Sequence, residues 1–323
     1  MSINTSEACI IIASHISNPK RIIHLSECLH SLLNQTCPIA IYLSISFENE
    51  NLQQTFAEMF SKTPKFSSPF MYLLIKPTKT PQMRHMYELL PLIEKSHNWI
   101  MFCDDDDTYE PTRVETFLKN VAGCLHTVET QMPNKRFIGV YESTFGKDHR
   151  QQRHEFWCYC VHLNVLQNFM DIVAPHSDVL DHSCCDVLFG EYLRRIKPDF
   201  LYAAINIPLY NYRVTDNSDS ITGSIQTRNK LVRPAREITT DNMDECAKEL
   251  NDYLNSDLSI YLHDTFLRTL VGTTFDNILQ AEFKSEIEIL HLIDRVHIVK
   301  MLDLHNRIRD ICNRLYHIKI QEN

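Results

Sequence analysis

A chain of 323 residues is long enough to bury a complete α/β core. Its formal net charge of -9 argues against a surface that binds nucleic acid, because such binding depends on clustered Lys and Arg. The chain has 6 glycines, too few for the Gly-rich phosphate loops of the Walker or dinucleotide type. A ligand that carries phosphate would therefore need a metal ion or a few well-placed cations.

The cysteines and the apolar runs indicate the compartment. The 11 cysteines are odd in number and lie within apolar runs such as "FWCYCV" and "HSCCDVLF", which is typical of reduced core thiols. The first apolar run, residues 8–13, lacks the basic flank and the cleavage signal of a secretory peptide. No stretch approaches the ~18 apolar residues that would span a bilayer. We expect a cytoplasmic protein without a transmembrane segment.

Strand-like and helix-like runs alternate through the first two thirds of the chain, the pattern of βαβ units in a mostly parallel sheet. In chain order, the sequence predicts strands at residues 8–15, 39–46, 70–78, 99–103, 136–144, 155–163 and 200–214. It predicts helices at residues 21–36, 51–62, 82–95, 110–128 and 184–196. The expected fold class is α/β, with a mostly parallel central sheet flanked by helices.

The polar, turn-rich segment 215–240 predicts a domain boundary, and the pattern beyond it is helical to the end of the chain. On the last predicted helix, apolar residues recur at intervals of three and four; they are Met301, Leu304, Ile308, Ile311, Leu315 and Ile318. This narrow apolar seam suits docking within the chain or a homodimer through the C-terminal helix.

The clearest chemical signal is "NWIMFCDDDDTYEP", in which a buried strand leads into four consecutive aspartates, Asp104 to Asp107. Carboxylates on a tight loop at the carboxyl edge of a parallel sheet lie where such folds bind ligands. Mg²⁺ and Mn²⁺ prefer carboxylate oxygens and keep open positions for substrate phosphates. Two other interpretations are a solvated acidic turn and an EF-hand loop, although Tyr109 stands where that loop needs Gly.

Several phrases in a fixed order carry a resemblance to a known family. They are "IIIASH", "LSECLHSLLNQT", "WIMFCDDDDTYEP", "CCDVLFGEYLRR" and "PLYNYRVTDNSDSIT". Together they resemble the family 2 group of GT-A glycosyltransferases, which move a sugar from a nucleotide diphosphate donor to an acceptor. The resemblance covers roughly residues 7–225. It implies a GT-A (nucleotide-diphospho-sugar transferase) domain at residues 1–225, followed by a helical C-terminal extension at 226–323.

The resemblance also implies a metal ion and a catalytic base. Asp104 and Asp106 match the D-x-D pair that holds Mn²⁺ or Mg²⁺, and Asp104 and Asp105 are expected beside the nucleotide donor. Asp186 matches the base that takes the proton from an acceptor hydroxyl, which implies inversion at the anomeric carbon. Its alternative role is a carboxylate that stabilises the start of a helix, in which case Asp181 is the substitute base.

Further donor contacts follow from the same resemblance. Ser14 and His15 come after the first strand, where the family places its nucleotide. Arg84 matches an arginine near the donor diphosphate, and a guanidinium fork suits phosphate oxygens. Ser46, or Glu48 close to it, stands where the family usually carries an aspartate that reads the base. The identity of the nucleotide therefore stays open.

The sequence predicts a metal-dependent, inverting glycosyltransferase, of the hexosyl or pentosyl type, that acts on a hydroxyl of a glycan, a lipid-linked saccharide or a protein. Two departures keep a second interpretation open: Cys185 replaces a Glu of the family pattern, and Thr215 replaces a His of many relatives. A degenerate GT-A domain would bind a glycan or nucleotide without turnover. A nucleotidyltransferase would use the same metal chemistry, but it usually needs a Gly-rich N-terminal loop.

Overall fold

The computed structural model describes residues 5–132, 134–143, 155–195, 200–213, 239–270 and 291–316. The chain forms two compact units, Met1–Val214 and Thr215–Asn323. Residues 215–238 of the predicted boundary segment, with the departure at Thr215, lie outside the described residues.

The first unit is built on a twisted set of strands and a second, smaller sheet. The strands are β1 (Ala8–Ile16), β2 (Ala40–Phe47), β3 (Met71–Ile75), β4 (Trp99–Phe102), β5 (Thr108–Tyr109), β6 (Arg136–Glu142), β7 (Tyr159–His162), β8 (Phe200–Ile205) and β9 (Tyr210–Asn211). The main sheet has the strand order β3-β2-β1-β4-β7-β6-β8, and β5 pairs with β9. Of its seven strands, β7 runs antiparallel to both of its neighbours, while the other pairs are parallel. The mostly parallel sheet expected from the sequence is confirmed.

Helices flank this sheet, as expected for βαβ units. They are α1 (Pro19–Leu33), α2 (Glu50–Lys62), α3 (Gln82–Leu89), α4 (Arg113–Gln131), α5 (Leu163–Val173), α6 (Ser177–Leu180) and α7 (Cys185–Arg194). Helix α1 begins where Asn18 accepts hydrogen bonds from two backbone amides of the first turn and Pro19 occupies the first helical position. Helix α3 is shorter than predicted, because Leu90–Leu92, with Pro91 inside, continue it as a 3₁₀ turn.

The centre of the sheet is the core of the first unit. Every residue of β2 is buried, and in β1 His15 is the one residue that is partly exposed. A parallel strand covered by helices on both faces is apolar on both sides, which explains the continuous apolar runs of the sequence. The same arrangement brings the carboxyl ends of β1, β2 and β4 to one edge, where the polar side chains of the first unit converge.

Two predicted strands differ from the structure. The strand expected at 155–163 is confined to β7, because Phe156–Cys158 form a 3₁₀ helix. The strand expected at 200–214 splits into β8 and β9, with Pro208 between them. Proline has no amide hydrogen and is excluded from the interior of a sheet, so it ends one strand before the next begins. The split matters because β9 joins the aspartate loop through β5.

The second unit is helical where it is described, as the sequence predicted. Its helices are α8 (Met243–Ser256), α9 (Ser259–Leu270) and α10 (Arg295–Tyr316). Met301 of the predicted apolar seam lies in the core of this unit with Cys246, Leu250 and Leu254. The seam residues from Met301 to Leu315 are buried, whereas Ile318 lies outside the described residues. Across the described ranges, no helix has both the length and the apolar character that a membrane crossing requires.

Candidate active site

The aspartate loop lies between β4 and β5, at the carboxyl edge of β1, β2 and β4. A turn closes it, since the Asp107 amide donates to the Asp104 carbonyl oxygen at 3.2 Å. Asp105, Asp106 and Asp107 are buried, with relative exposures of 6%, 9% and 1%, and Asp104 is half-buried. This burial contradicts a solvated acidic turn. The EF-hand interpretation fails too, because Thr108 and Tyr109 pair with β9 as a strand.

Two arginines contact the aspartate loop. The guanidinium of Arg21 donates to Asp106 Oδ2 at 2.9 Å through Nη1 and to Asp105 Oδ1 through Nη2. Arg213 donates from its backbone amide to Asp107 Oδ1 at 2.7 Å and from Nε to the Asp106 carbonyl oxygen at 2.8 Å. Its Nη2 donates to Glu27. Arg21 therefore pairs with two of the aspartate side chains, while the guanidinium of Arg213 contacts the loop backbone.

Negative charge remains in excess in this loop. Burial, followed by the charges of the neighbouring aspartates, raises the pKa of Asp104 well above its ordinary value. Burial raises the pKa of Asp105 to about 6, although Arg21 opposes the shift. Burial and the charge of Asp106 raise the pKa of Asp107 to about 7. Raised carboxyl pKa values indicate that a further cation would be bound favourably here.

Asp104 and Asp106 each offer a carboxylate oxygen to a divalent cation. Asp104 accepts from Gln82 Nε2 through Oδ1 at 2.9 Å, and Asp106 accepts from Arg21 through Oδ2. In the part of the chain that the structure describes, the second oxygen of each of these two carboxylates has no hydrogen-bond partner. Carboxylate oxygens are the ligands that Mg²⁺ and Mn²⁺ prefer, and a site with two of them leaves positions for phosphate.

Asp186 lies in the first turn of α7 and is half-buried. Burial raises its pKa to about 7, against the opposing effect of the Val187 amide. Its charge also contributes to the raised pKa of Asp104, after burial and the three neighbouring aspartates. The helix is capped at Cys184 without a side-chain hydrogen bond, so Asp186 is not the capping residue. A carboxyl with a pKa near neutrality suits a proton acceptor at physiological pH.

Arg84 and Asp181 contact each other. Arg84 donates from Nε to Asp181 Oδ1 at 2.6 Å and from Nη2 to Oδ2 at 2.8 Å, a bidentate pair that raises the pKa of Arg84. Both oxygens of Asp181 are therefore engaged, which makes it a poor substitute base. Arg84 could contact a donor diphosphate only after releasing Asp181, and its predicted role stays a prediction.

Ser14 and Ser46 are buried and make hydrogen bonds within the protein. Ser14 Oγ donates to Asp105 Oδ2 at 2.5 Å. Ser46 Oγ contacts His15 Nδ1 at 2.9 Å and His85 Nε2 at 3.2 Å, and it accepts from a backbone amide at 3.4 Å. With these three bonds the Ser46 hydroxyl is saturated, so it positions His15 rather than offering itself to a ligand. His15 keeps partial exposure at the end of β1.

A chain of hydrogen bonds runs from Ser44 through His85, Ser46 and His15 to Glu48. Burial lowers the pKa of His85 to about 4 and also lowers that of His15, so both rings are neutral at pH 7. The Glu48 carboxylate only accepts, so His15 carries its proton on Nε2. Each earlier bond then has one direction, with Ser46 donating to His15, His85 donating to Ser46 and Ser44 donating to His85.

A buried ion pair supports the loop from the opposite side. Arg113, in the first turn of α4, donates to Glu142 at the end of β6, and neither side chain is exposed. Glu142 Oε1 accepts from the amides of Leu209 at 2.7 Å and Tyr210 at 3.1 Å, so the pair fixes the start of β9. The Tyr210 hydroxyl then donates to Asp107 at 2.7 Å.

Sequence reasoning did not identify Arg21, Gln82, Arg113, Glu142 or Tyr210 as residues that organise the site. Each is separated from its partner by 22 residues or more, and the local sequences of the first four carry no motif. Tyr210 lies in the quoted phrase "PLYNYRV", which is the one signal that pointed to this region.

Comparison with known proteins found no matching family model and no matching characterised protein. Solved structures match over most of the chain. S. aureus TarS 1-349 in complex with UDP-GlcNAc is 12% identical over 97% of this chain and 88% of that chain, with a TM-score of 0.45. For the longer S. aureus TarS, the identity is 12% over 95% of this chain, with a TM-score of 0.41, and the match spans 54% of that chain.

A third structure belongs to a protein with a different name. The 4-diphosphocytidyl-2C-methyl-D-erythritol synthase from Anaerococcus prevotii DSM 20548 is 12% identical over 69% of this chain and 97% of that chain, with a TM-score of 0.40. These similarities concern the fold alone. The sheet and its flanking helices confirm the mostly parallel α/β class that the sequence predicted, while the GT-A type stays a prediction. The function must be argued from the side chains of this chain.

Proposed function

We propose that the protein is a metal-dependent, inverting glycosyltransferase that moves a sugar from a nucleotide diphosphate sugar to a hydroxyl of a glycan, lipid or protein acceptor. The observation that carries this proposal is the buried aspartate loop at the carboxyl edge of β1, β2 and β4, whose raised carboxyl pKa values favour a bound cation. A carboxyl with a pKa of about 7 lies within electrostatic range of Asp104, in a loop with an excess of negative charge. A base and a site that favours a cation are the two features that such a transfer requires.

Asp104 and Asp106 are the residues that would hold Mn²⁺ or Mg²⁺, through the oxygens that have no hydrogen-bond partner in the described residues. Such an ion, when bound, neutralises the negative charge of a departing diphosphate. His15 and Glu48 lie at the open end of the hydrogen-bond chain and would face the nucleotide. Ser14 would act indirectly, because its hydroxyl holds Asp105.

Asp186 would take the proton of the acceptor hydroxyl as that oxygen attacks the anomeric carbon from the face opposite the leaving group. A base contributes most when its pKa lies near the working pH, since it is then largely ionised and still basic. The half-buried position of Asp186 supplies that pKa. Attack from the opposite face inverts the configuration at this carbon.

A binding module without turnover is the competing function, and one contact favours it. Arg21 already pairs with Asp105 and Asp106, so the loop holds a cation that belongs to the protein. A domain of this kind would bind a nucleotide or glycan next to a neutralised loop and release it unchanged.

The test is turnover of UDP- and GDP-sugars by the full chain with Mn²⁺, measured as released nucleoside diphosphate. Asp186→Asn should lower the rate about 10²- to 10⁴-fold, the usual contribution of a general base. Asp171→Asn is the matched control, because Asp171 is an exposed carboxyl on α5 and should leave the rate unchanged. An unchanged rate in Asp186→Asn would show that the base is another group. Donor binding by calorimetry without any turnover would establish the binding module.

A further inference from the structure

Arg21 carries its charge at an unfavourable place on α1. It lies in the first turn of the helix, next to Lys20, and this turn contains no acidic residue. Backbone amides give the start of a helix a partial positive charge, so cations there are disfavoured unless a nearby anion compensates. The compensating anions come from a distant part of the chain, Asp105 and Asp106.

The Arg21 guanidinium makes two hydrogen bonds, each to a buried aspartate. Nη1 lies 2.9 Å from Asp106 Oδ2, and Nη2 contacts Asp105 Oδ1. The Arg21 side chain is 15% exposed, while those of Asp105 and Asp106 are 8% and 12% exposed. Burial lowers the pKa of Arg21, but the charges of Asp105 and Asp106 raise it above its ordinary value, so the guanidinium stays charged. Screening by water is weak at such a site.

We infer that Arg21 is a tethered cation that competes with the divalent metal ion for Asp106. The inference rests on the metal ion of the proposed function and deepens it. A divalent ion on the second oxygen of Asp106 would share this carboxylate with the guanidinium. Two cations bound to one buried carboxylate lie close together and repel each other. The protein without donor therefore binds Mn²⁺ weakly. The negative charge of a donor diphosphate offsets this repulsion, so metal and donor bind together.

The experiment measures Mn²⁺ alone, by the loss of the electron paramagnetic resonance signal of the free ion, on the full chain. Arg21→Gln removes the charge and keeps a polar side chain, and we expect its Kd for Mn²⁺ to be at least tenfold lower than that of the parent. Arg194→Gln is the matched control, since the Arg194 guanidinium also pairs with a carboxylate, that of Glu191. It removes the same charge outside the aspartate loop and should change the Kd less than threefold.

Arg21→Gln leaves buried carboxylates without their cation, which can prevent folding. Arg21→Lys is therefore measured as a second variant. A lysine keeps the charge but cannot make the fork, so its Kd should lie between those of the parent and Arg21→Gln. Both tryptophans, Trp99 and Trp157, belong to the first unit, so their fluorescence reports whether it is folded. A Kd in Arg21→Lys as low as that of Arg21→Gln would contradict the inference, because the positive charge would then make no difference.

The outcomes separate this inference from the proposed function. Equal Mn²⁺ affinity in the parent and in Arg21→Gln overturns the competition and leaves glycosyl transfer standing. Tighter binding in Arg21→Gln together with no turnover of any donor supports the competition and rejects the transferase. Absence of Mn²⁺ binding in both proteins, with or without UDP, overturns the competition and the metal dependence together.

Discussion

Tyr210 lies between two groups of buried charges that are balanced differently. Beside its ring, Arg113 and Glu142 pair without exposure to solvent, and the Arg113 guanidinium lies 5.1 Å from the ring centroid. At its hydroxyl, Tyr210 donates to Asp107 and accepts from the amide of Asp104, in a loop whose carboxyls have raised pKa values. The first group is neutral as a whole, and the second has an excess of negative charge.

The difference has opposite consequences for the folding free energy. A buried pair of opposite charges holds its neighbourhood in one arrangement, and removing either partner leaves an uncompensated charge. A group of carboxyls with raised pKa values costs folding free energy, and a bound cation would reduce that cost. The neutral pair thus fixes β9, whereas the unbalanced group would be stabilised by a further cation.

The largest effect is expected from breaking the neutral pair. Glu142→Ala leaves Arg113 buried without its partner, and it also removes the acceptor of two backbone amides. The free energy of unfolding of the first unit should fall by about 3–5 kcal/mol. Urea unfolding followed by tryptophan fluorescence measures it, because both tryptophans lie in this unit.

Two variants control this measurement. Glu142→Gln keeps an oxygen for the two amides, so it should cost less than Glu142→Ala, and the difference reports the amide contacts. Glu191→Ala removes the carboxylate of a pair with Arg194 and Arg195, whose side chains are 38% and 28% exposed, and should cost at most about 1 kcal/mol. A cost for Glu142→Ala as small as that of Glu191→Ala would mean that burial does not distinguish the two pairs.

A smaller effect is expected when the acidic group alone is changed. Tyr210→Phe keeps the ring, which stacks on Trp157 at 4.1 Å, but removes a donor from Asp107 and an acceptor from the Asp104 amide. We expect a loss of about 1–3 kcal/mol in urea unfolding. The Tyr210 hydrogen bond lowers the pKa of Asp107, so the variant should also raise that pKa.

Tyr109→Phe is the matched hydroxyl deletion. Tyr109 is also buried, and its ring also lies near Arg113, but its hydroxyl donates to the neutral carbonyl of Phe102 at 2.5 Å. A neutral hydrogen bond contributes about 0.5–1.5 kcal/mol, so this loss should be the smaller one. If Tyr109→Phe costs as much as Tyr210→Phe, the charge of Asp107 does not matter to the bond.

The sequence predicted the elements that carry the acidic group better than the contacts that balance it. An apolar run followed by aspartates is a local pattern, and so is the helix start that carries Asp186. The pairing of Arg21 with Asp106 joins residues 85 positions apart, and no local pattern encodes it. The reversed direction of β7 was also invisible, because an apolar run has the same composition in either direction. Pro208 was a local signal for the break between β8 and β9.

The pH dependence of turnover tests the acidic group through Asp186. This carboxyl must be ionised to accept a proton, and its pKa of about 7 places the loss of activity on the acid side. Between pH 8 and pH 6 the ionised fraction falls about tenfold, so kcat/KM should fall by the same factor. In Asp186→Asn this slope should disappear from the residual rate.

The raised pKa of Asp186 places turnover at high pH but favours folding at low pH. A carboxyl whose pKa is raised in the folded protein favours folding when protonated, so its contribution is present at low pH and is lost as pH rises through about 7. Asp186→Asn should therefore raise the unfolding midpoint in urea more at pH 8 than at pH 5. A larger gain at pH 5 would mean that Asp186 is stabilised in its ionised form.

The smallest effect is expected at the exposed end of the hydrogen-bond chain. Glu48 is exposed and accepts from His15 Nε2 at 2.9 Å. Glu48→Gln keeps an oxygen acceptor, so His15 should retain its Nε2 proton and the stability should not change. The variant removes a charge that raises the pKa of His15, and this pKa should fall further below its ordinary value.

Nitrogen chemical shifts of the imidazole rings, measured by nuclear magnetic resonance across a pH titration, report both the tautomer and the pKa of His15. His85 serves as the internal reference, because its ring is buried and bonded to Ser44 and Ser46 on both sides. Its tautomer should be the same in parent and variant. If His15 instead carried its proton on Nδ1, Ser46 could not donate to it. The direction assigned to the hydrogen bond between Ser46 and His15 would then be reversed.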